Sequence, residues 1–243
     1  MRLPHFPLHA VVFPHLPLPI HVFEERYRAM VREVVDGDSP WGGRFVVSLI
    51  LEGSDVSKGG SRPPRTSAVG TTVEVRHAQR FADGRWGLLT VGLARVGIGP
   101  VDSSGPYDMV EAQELPEEDG DTAQAAVLLP QVQAALDAYL TSVKRFVASA
   151  ASVGRESQEI TEVATTLDQV LKPIRLPDDP LAASYAVGGV LQIELTRKQR
   201  LLELPDAASR LRAELDLLRR EARLVAEGEM PTVGTDDLGY NLN

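Results

Sequence analysis

The side chains that could do chemistry crowd the first 35 positions. His5, His9, His15 and His21 are four of the five histidines in the chain, and a neutral imidazole is both a metal ligand and a general base. Their spacing argues against either role. On an extended chain His5 and His9 lie roughly 13 Å apart at about 3.3 Å per residue; there is no cysteine to join them, and no HExxH pair on a helix. No metal site is expected, and the histidines read as solvated or capping. Glu24 and Glu25 are neighbours, and neighbours on a helix point about 100° apart, so the two carboxylates do not converge as an acid–base pair. Glu24 lies four residues before Arg28, the favourable order for a helical ion pair. Lys58-Gly59-Gly60 lacks the earlier glycine and the Gly-Lys-Ser/Thr ending of a phosphate-binding loop. Ser57 and Lys58 lie side by side in a polar segment with nothing rigid to hold a base against a nucleophile. The sequence therefore predicts no catalytic residue, no cofactor and no enzyme.

The elements that position these residues follow from proline placement and periodicity. Pro4, Pro7, Pro14, Pro17 and Pro19 each fix φ and remove an amide donor, so no helix is expected before Ile20. The proline-free run His9 to Phe13 is the natural strand. Phe23, Tyr27, Met30, Val31 and Val34 then recur at helical spacing, with Glu24, Glu25, Arg28, Arg32 and Glu33 opposite. Trp41 to Leu51 is an apolar, β-branched run expected to be a strand. Glu52 to Ala68 is rich in Gly, Ser and Pro and reads as a loop, with Arg62, Pro63, Pro64 and Arg65 giving it local positive charge. Val69, Thr71, Val73 and Val75 alternate as a strand. Asp83-Gly84 marks a hairpin, and Trp86 to Ile98 continues as a long strand with bulges expected at Gly92 and Gly97. Met109 to Leu115 closes the set.

From Glu117 to Asp121 the chain is an acidic linker, and beyond it helical patterns take over. Thr122 to Ser149 is helical with a kink or a fresh start at Pro130, followed by Val132, Leu136, Leu140, Val143 and Val147 on one face. Ile160, Val163, Leu167, Val170 and Leu171 form a second stripe. Asp179-Pro180 is an N-cap with proline at the first helical position, and Thr196 and Gln199 have capping-box spacing. The last helix starts near Pro205-Asp206, with Leu211, Leu215, Leu218, Ala222 and Val225 inside and Arg210, Arg212, Glu214, Arg219, Arg220 and Glu221 outside. The residues thus give a β-rich part followed by an all-α part, an α+β chain. Its 243 residues, 43% of them hydrophobic, suffice for a core without disulfides, and the absence of cysteine fits a reducing compartment. No segment has the roughly 18 uninterrupted apolar residues of a membrane span. With no signal-like start, a soluble cytoplasmic protein is expected. A formal charge of −9 and a pI near 5.1 disfavour nucleic acid as a partner.

Four blocks in order, LPHFPL, VVFP, LPLPI and FEERYRAMV, resemble the start of the amino-terminal substrate-binding domain of Lon proteases, a domain that also occurs free-standing and in cereblon. The later block LQIELTRKQRLLELPDAASRLRAELDLL resembles its helical half. The family pattern usually carries a glycine near His15 and a proline at the position of Glu25. The resemblance implies a highly curved, PUA-like β pseudo-barrel of about six strands, with one helix after the first strand, followed by an α-helical bundle. The expected domains are 1–116 (β), 117–228 (helical bundle) and a tail, 229–243. It further implies a non-enzymatic protein- or peptide-binding module. Such a module would recognise unfolded or exposed peptide segments in a groove between the two halves, as an adaptor or substrate-recognition factor in protein quality control. A separate protease would be a further partner. Phe13, Phe23, Tyr27 and Trp86 are the candidate peptide-binding residues. Arg26, in the FExRY signature, is expected to pack its stem over the barrel and bond strand-end carbonyls. The alternative is an RNA-binding PUA-like protein. The ATPase and serine-lysine peptidase modules of Lon would follow beyond Asn243, so neither activity is expected of these residues.

Overall fold

Four of the five early prolines sit inside the first two strands, and only Pro14 lies between them. The structure, a computed structural model, describes residues 1–53, 64–152 and 174–227. Its first strand, β1, is Arg2–Leu8, and its second, β2, is Pro17–Val22; the expected strand His9 to Phe13 lies between them and is not one. Alternation of amide direction explains the difference. In β1 the His5 amide donates to Asp108 on the side of a strand at 109–114, so odd-numbered amides face that side and even-numbered ones the other. That strand pairs only Arg2 to Pro4, whereas the opposite neighbour pairs only His5 to Leu8. Pro4 and Pro7 thus each turn their missing donor to a side where no strand pairs with them among the described residues. In β2 the Gly92 amide donates to Leu16, which directs the even-numbered backbone groups inward and leaves Pro17 and Pro19 facing an open edge.

Helix α1 (Glu25–Val34) follows β2, not the first strand, and buries Tyr27, Met30, Val31 and Val34. Then come β3 (Arg44–Glu52), the short β4 (Arg65–Thr66), β5 (Val69–Arg80), β6 (Trp86–Asp102) and β7 (Met109–Glu114). Six of the seven strands run in the order β1-β7-β6-β5-β3-β4, with β2 paired to β6 off this path, and β1 also pairs with β3, parallel, so the path closes on itself. The residues that close it are the barrel of this α+β chain. Strand β6 makes closure possible by pairing with β2 over its first half and with β7 over its second, while β5 pairs with it from Trp86 to Gly97. It bends at two irregularities, one beside Gly92 as expected and the other at Gly99-Pro100 instead of Gly97. Gly92 is also a close approach: a Cβ there would stand 2.3 Å from the Phe13 carbonyl oxygen. The enclosed core joins Phe6, Val22, Tyr27, Met30, Val31, Val34, Phe45, Val47, Val73 and Leu88, with the Phe6 ring 4.2 Å from that of Tyr27.

Contacts divide the chain into two compact units, 1–117 with 195–203, and 118–194 with 204–243. The helical stretch 117–228 is therefore not one body. Its helix α4 (Leu195–Glu203) clusters with the strands, where the Gln199 side-chain amide donates to the Val69 carbonyl at 3.0 Å. In the same unit the buried Arg95 of β6 donates to Glu117 at 2.5 Å, to the Leu202 carbonyl at 3.2 Å and to the Pro116 carbonyl at 3.4 Å.

The second unit holds α2 (Thr122–Ser152), α3 (Pro180–Val190) and α5 (Ala207–Ala226). Helix α2 runs through Pro130 without a second start. Asp179 caps α3 by accepting the Ala182 amide at 2.9 Å, and Asp206 caps α5 by accepting that of Ser209 at 2.9 Å. The leucine seam of α5 is buried as expected, but three residues assigned to its wet face are not wet. Arg210 and Glu214 are fully buried and Glu221 is 1% exposed. Arg210 donates to Ser184 Oγ at 2.9 Å and to the Leu204 carbonyl at 2.7 Å, with its guanidinium 4.3 Å from the Tyr185 ring centre. The stripe Ile160 to Leu171, the centre of the 52–68 loop and the tail lie outside the described residues.

Candidate functional site

The far half of β5 is a strand with one partner. Its near half is flanked by β6 and β3, but the β3 pairing stops at Glu74, and the Val75 amide goes to the Gly43 carbonyl at 2.9 Å. From Arg76 to Arg80 only β6 pairs with it among the described residues. The Phe81 amide donates to Arg85 across the hairpin, which sets the alternation. Odd-numbered backbone groups face β6, and those of Ala78 and Arg80 face the open side. Both sheet edges in this region are thus legible atom by atom: β2 closes its own with Pro17 and Pro19, and β5 offers donors and acceptors.

A cleft of about 360 Å³ runs beside this open edge. Val34, Val35, Asp36 and Gly37 form the α1 wall; Gly42 and Gly43 the floor; Val75, Arg76, His77 and Ala78 the β5 wall. The glycines keep it open. A Cβ on Gly37 or Gly42 would meet nothing within 4 Å, and Gly42 and Gly43 hold left-handed φ values of 55° and 77° that favour glycine. The cleft therefore combines apolar side chains, bare backbone and a strand with one open edge among the described residues, the requirements for holding an extended peptide.

The outward face of the same hairpin is mildly apolar. Pro19, Leu89 and His77 share one row across β2, β6 and β5, and His21, Gly87 and Gln79 share the next. Phe81 folds over Gly87 and sets its ring 5.7 Å from that of His21. Leu89 and Phe81 are among the exposed large apolar side chains.

Of the four candidate peptide-binding residues, only Phe23 stands in solvent, 50% exposed just beyond β2. Phe13 and Tyr27 are core residues, 1% and 2% exposed, and neither meets a ligand without the core opening. Trp86 is half-buried and packs against the same core as Tyr27. Arg26 is mostly buried; its Nε lies 3.3 Å from Glu24 and its guanidinium 4.3 Å from the Tyr27 ring centre. Arg28 pairs with Glu25 at 3.1 Å, as does Arg32 at 3.0 Å. The open edge and the cleft were missed because they follow from where β3 stops pairing, which no local pattern encodes.

One constellation looks catalytic and is not placed to react. His5 Nε2 lies 2.7 Å from Ser48 Oγ, and Asp108 stands near enough to raise the affinity of His5 for protons. Yet His5 and Ser48 are buried, the His5 Nδ1 has no hydrogen-bond partner among the described residues, and burial pulls its pKa down to about 4. A serine nucleophile needs an accessible hydroxyl and a base whose Nδ1 is oriented by the acid; here the trio is a core contact. His5 is accordingly neither solvated nor capping, contrary to expectation. Among the described residues no group of three or more His, Asp or Glu could hold a metal ion, and no helix is long and apolar enough to cross a membrane.

Comparison with known proteins bears on the whole chain. A family model described as the ATP-dependent protease La (LON) substrate-binding domain matches residues 2–220. The Lon protease of Trichlorobacter lovleyi is 24% identical over 98% of the chain, that of Escherichia coli K12 23% over 92%, and Lon protease 1 of Thermus thermophilus 28% over 91%. The chain spans about a quarter of each of these proteins, 26%, 26% and 25%. Among solved structures, the amino-terminal domain of Lon protease from the Mycobacterium avium complex superimposes with a TM-score of 0.54 at 20% identity, over 90% of this chain and 98% of that one. A Lon amino-terminal domain protein from Xanthomonas campestris gives 0.51 at 20%, over 89% and 98%. At that identity the structural likeness speaks to the fold.

Proposed function

The chain belongs to the Lon substrate-binding domain family, and from that premise we propose that it is a protein-recognition module of proteolysis that takes extended polypeptide segments along the open edge of β5. The observation that carries this reading is the juxtaposition of Ala78 and Arg80, whose backbone groups face an unpaired side, with the cleft walled by Val34, Val35 and Val75. Main-chain hydrogen bonds along an edge supply affinity without regard to sequence, and a pocket for alternate side chains supplies selectivity. A module that must accept many unfolded partners needs that division. The reading asks for no reacting group, and a separate protease is the partner that would act on what the module holds.

The test is a fluorescence anisotropy titration with a permanently unfolded model polypeptide. Saturable binding with a Kd on the order of tens of micromolar is expected, about 6 to 7 kcal/mol. Gly37→Leu fills open space on ordinary backbone and should leave the fold intact while weakening binding. Ala78→Pro removes a donor from the open side only and should weaken it further. Absence of saturable binding, or binding indifferent to both variants, would overturn the reading.

A further inference from the structure

We propose that the segment this edge accepts carries an apolar residue and, two positions away, an acidic one: the apolar side chain seats in the cleft opposite Ala78 and the carboxylate faces Arg80. The inference rests on the peptide-recognition reading above. Ala78 and Arg80 are two apart on a regular stretch of β5, opposite Leu88 and Trp86, so their side chains share a face. Residues directly across a strand pair also share a face. A segment added along this edge therefore presents residue i beside Ala78, over the cleft, and residue i+2 or i−2 beside Arg80, according to its direction.

Charge chooses the second residue. Arg80 is exposed and forms no ion pair among the described residues, unlike Arg76, paired with Glu74 at 3.1 Å, and Arg85, paired with Asp83 at 2.6 Å. The exposed His77 adds no negative charge. Asp36 stands on the α1 wall of the cleft, whose lining ends at Ala78, so an acid is disfavoured over the cleft and favoured beyond it. The acidity of the whole protein does not oppose this. The first unit carries 15 Lys and Arg against 15 Asp and Glu, and the second 10 against 19; the excess negative charge belongs to the other unit.

Two fluorescein-labelled nonapeptides test the proposal. They share a central leucine in an uncharged, strand-prone sequence, and differ in carrying glutamate or lysine at both positions two residues from it. The glutamate peptide should bind the intact protein about three-fold more tightly at low ionic strength, as an exposed ion pair allows, and the difference should collapse at about 1 M salt. Arg80→Glu should reverse the preference; the side chain is exposed, so folding is spared. If both peptides bind equally and Arg80→Glu leaves their ratio unchanged, this proposal falls while the peptide-recognition reading stands. If neither binds, both fall. Displacement of the glutamate peptide by single-stranded RNA, or loss of binding on self-association of the protein, would overturn the proposal in favour of another occupant of the edge.

Discussion

Acidification should destabilise the β unit through one residue, His5. Its imidazole is buried in the core, with Nε2 against Ser48 and Nδ1 without a hydrogen-bond partner among the described residues, and its pKa falls from 6.5 to about 4 because burial disfavours the charged form. The unfolded chain therefore binds the proton more readily than the folded one. The stability tied to neutral His5 is present above about pH 6.5 and is lost as pH falls toward 4. Linkage over that window makes the loss about 1.8 kcal/mol between pH 7 and pH 5, on the way to a limit of about 3.4 kcal/mol. The measurement is urea unfolding of the β signal at constant ionic strength from pH 7 to 5, comparing the parent with His5→Leu/Ser48→Ala. That double substitution removes the titrating ring and the hydroxyl it would otherwise strand. Surface carboxylates and the buried Glu214 titrate in both proteins, so the difference between the two slopes isolates His5. The double variant should be flatter by about 1.8 kcal/mol over the window. Equal slopes, or a His5 ring resonance that titrates near its ordinary value of 6.5, would refute the reasoning.

Two further predictions follow from backbone and charge. His15 is the only non-glycine residue with positive φ among those described, at 66°, and it stands where the family pattern usually has glycine; His15→Gly should raise stability by about 0.5 kcal/mol, relief of left-handed strain outweighing the entropy of the new glycine, read from the urea midpoint. Arg95→Ala should cost about 3 kcal/mol by removing the donor to Glu117 and the Leu202 carbonyl, whereas Arg95→Met with Glu117→Gln should cost less than half of that; a single variant as stable as the double would sink the assignment.

Where one local rule governed a residue, the sequence was enough to place it. The stripe Tyr27, Met30, Val31 and Val34 is a buried helical face, Asp83-Gly84 is a hairpin, and Asp179 and Asp206 are caps. Each rests on neighbours within four residues. The strands at Arg2 and Pro17 lie outside the proline-free run, although proline does not exclude a strand. It excludes only a donor, and which side of the strand lacks a partner is set by residues 46–49 and 109–111. The burial of two candidate residues has a related reason. Phe13 and Tyr27 were attractive because aromatic side chains can hold peptides, yet the hydrophobic effect that makes them good contacts also draws them into the core. The family likeness carried the closed sheet, which composition alone did not reach.

The charged face of α5 shows most clearly what periodicity cannot see. Arg210, Glu214 and Glu221 occupy positions that any polar–apolar reading sends to solvent, because a charge is normally too costly to bury. Burial becomes tolerable when the rest of the unit supplies partners, and here they come from distant sequence: Ser184, Tyr185 and the Leu204 carbonyl for Arg210. Glu214 is the incomplete case. Burial raises its pKa well above the ordinary 4.5, while Arg210 and the Gly188 amide pull it down without satisfying either carboxylate oxygen by hydrogen-bond geometry. A carboxyl shifted in that direction favours the folded helices at low pH and withdraws that support as pH rises through its folded pKa. The two units thus carry opposite pH responses in their cores, His5 opposing acid and Glu214 opposing base. Neither group is one that a surface pattern would place inside.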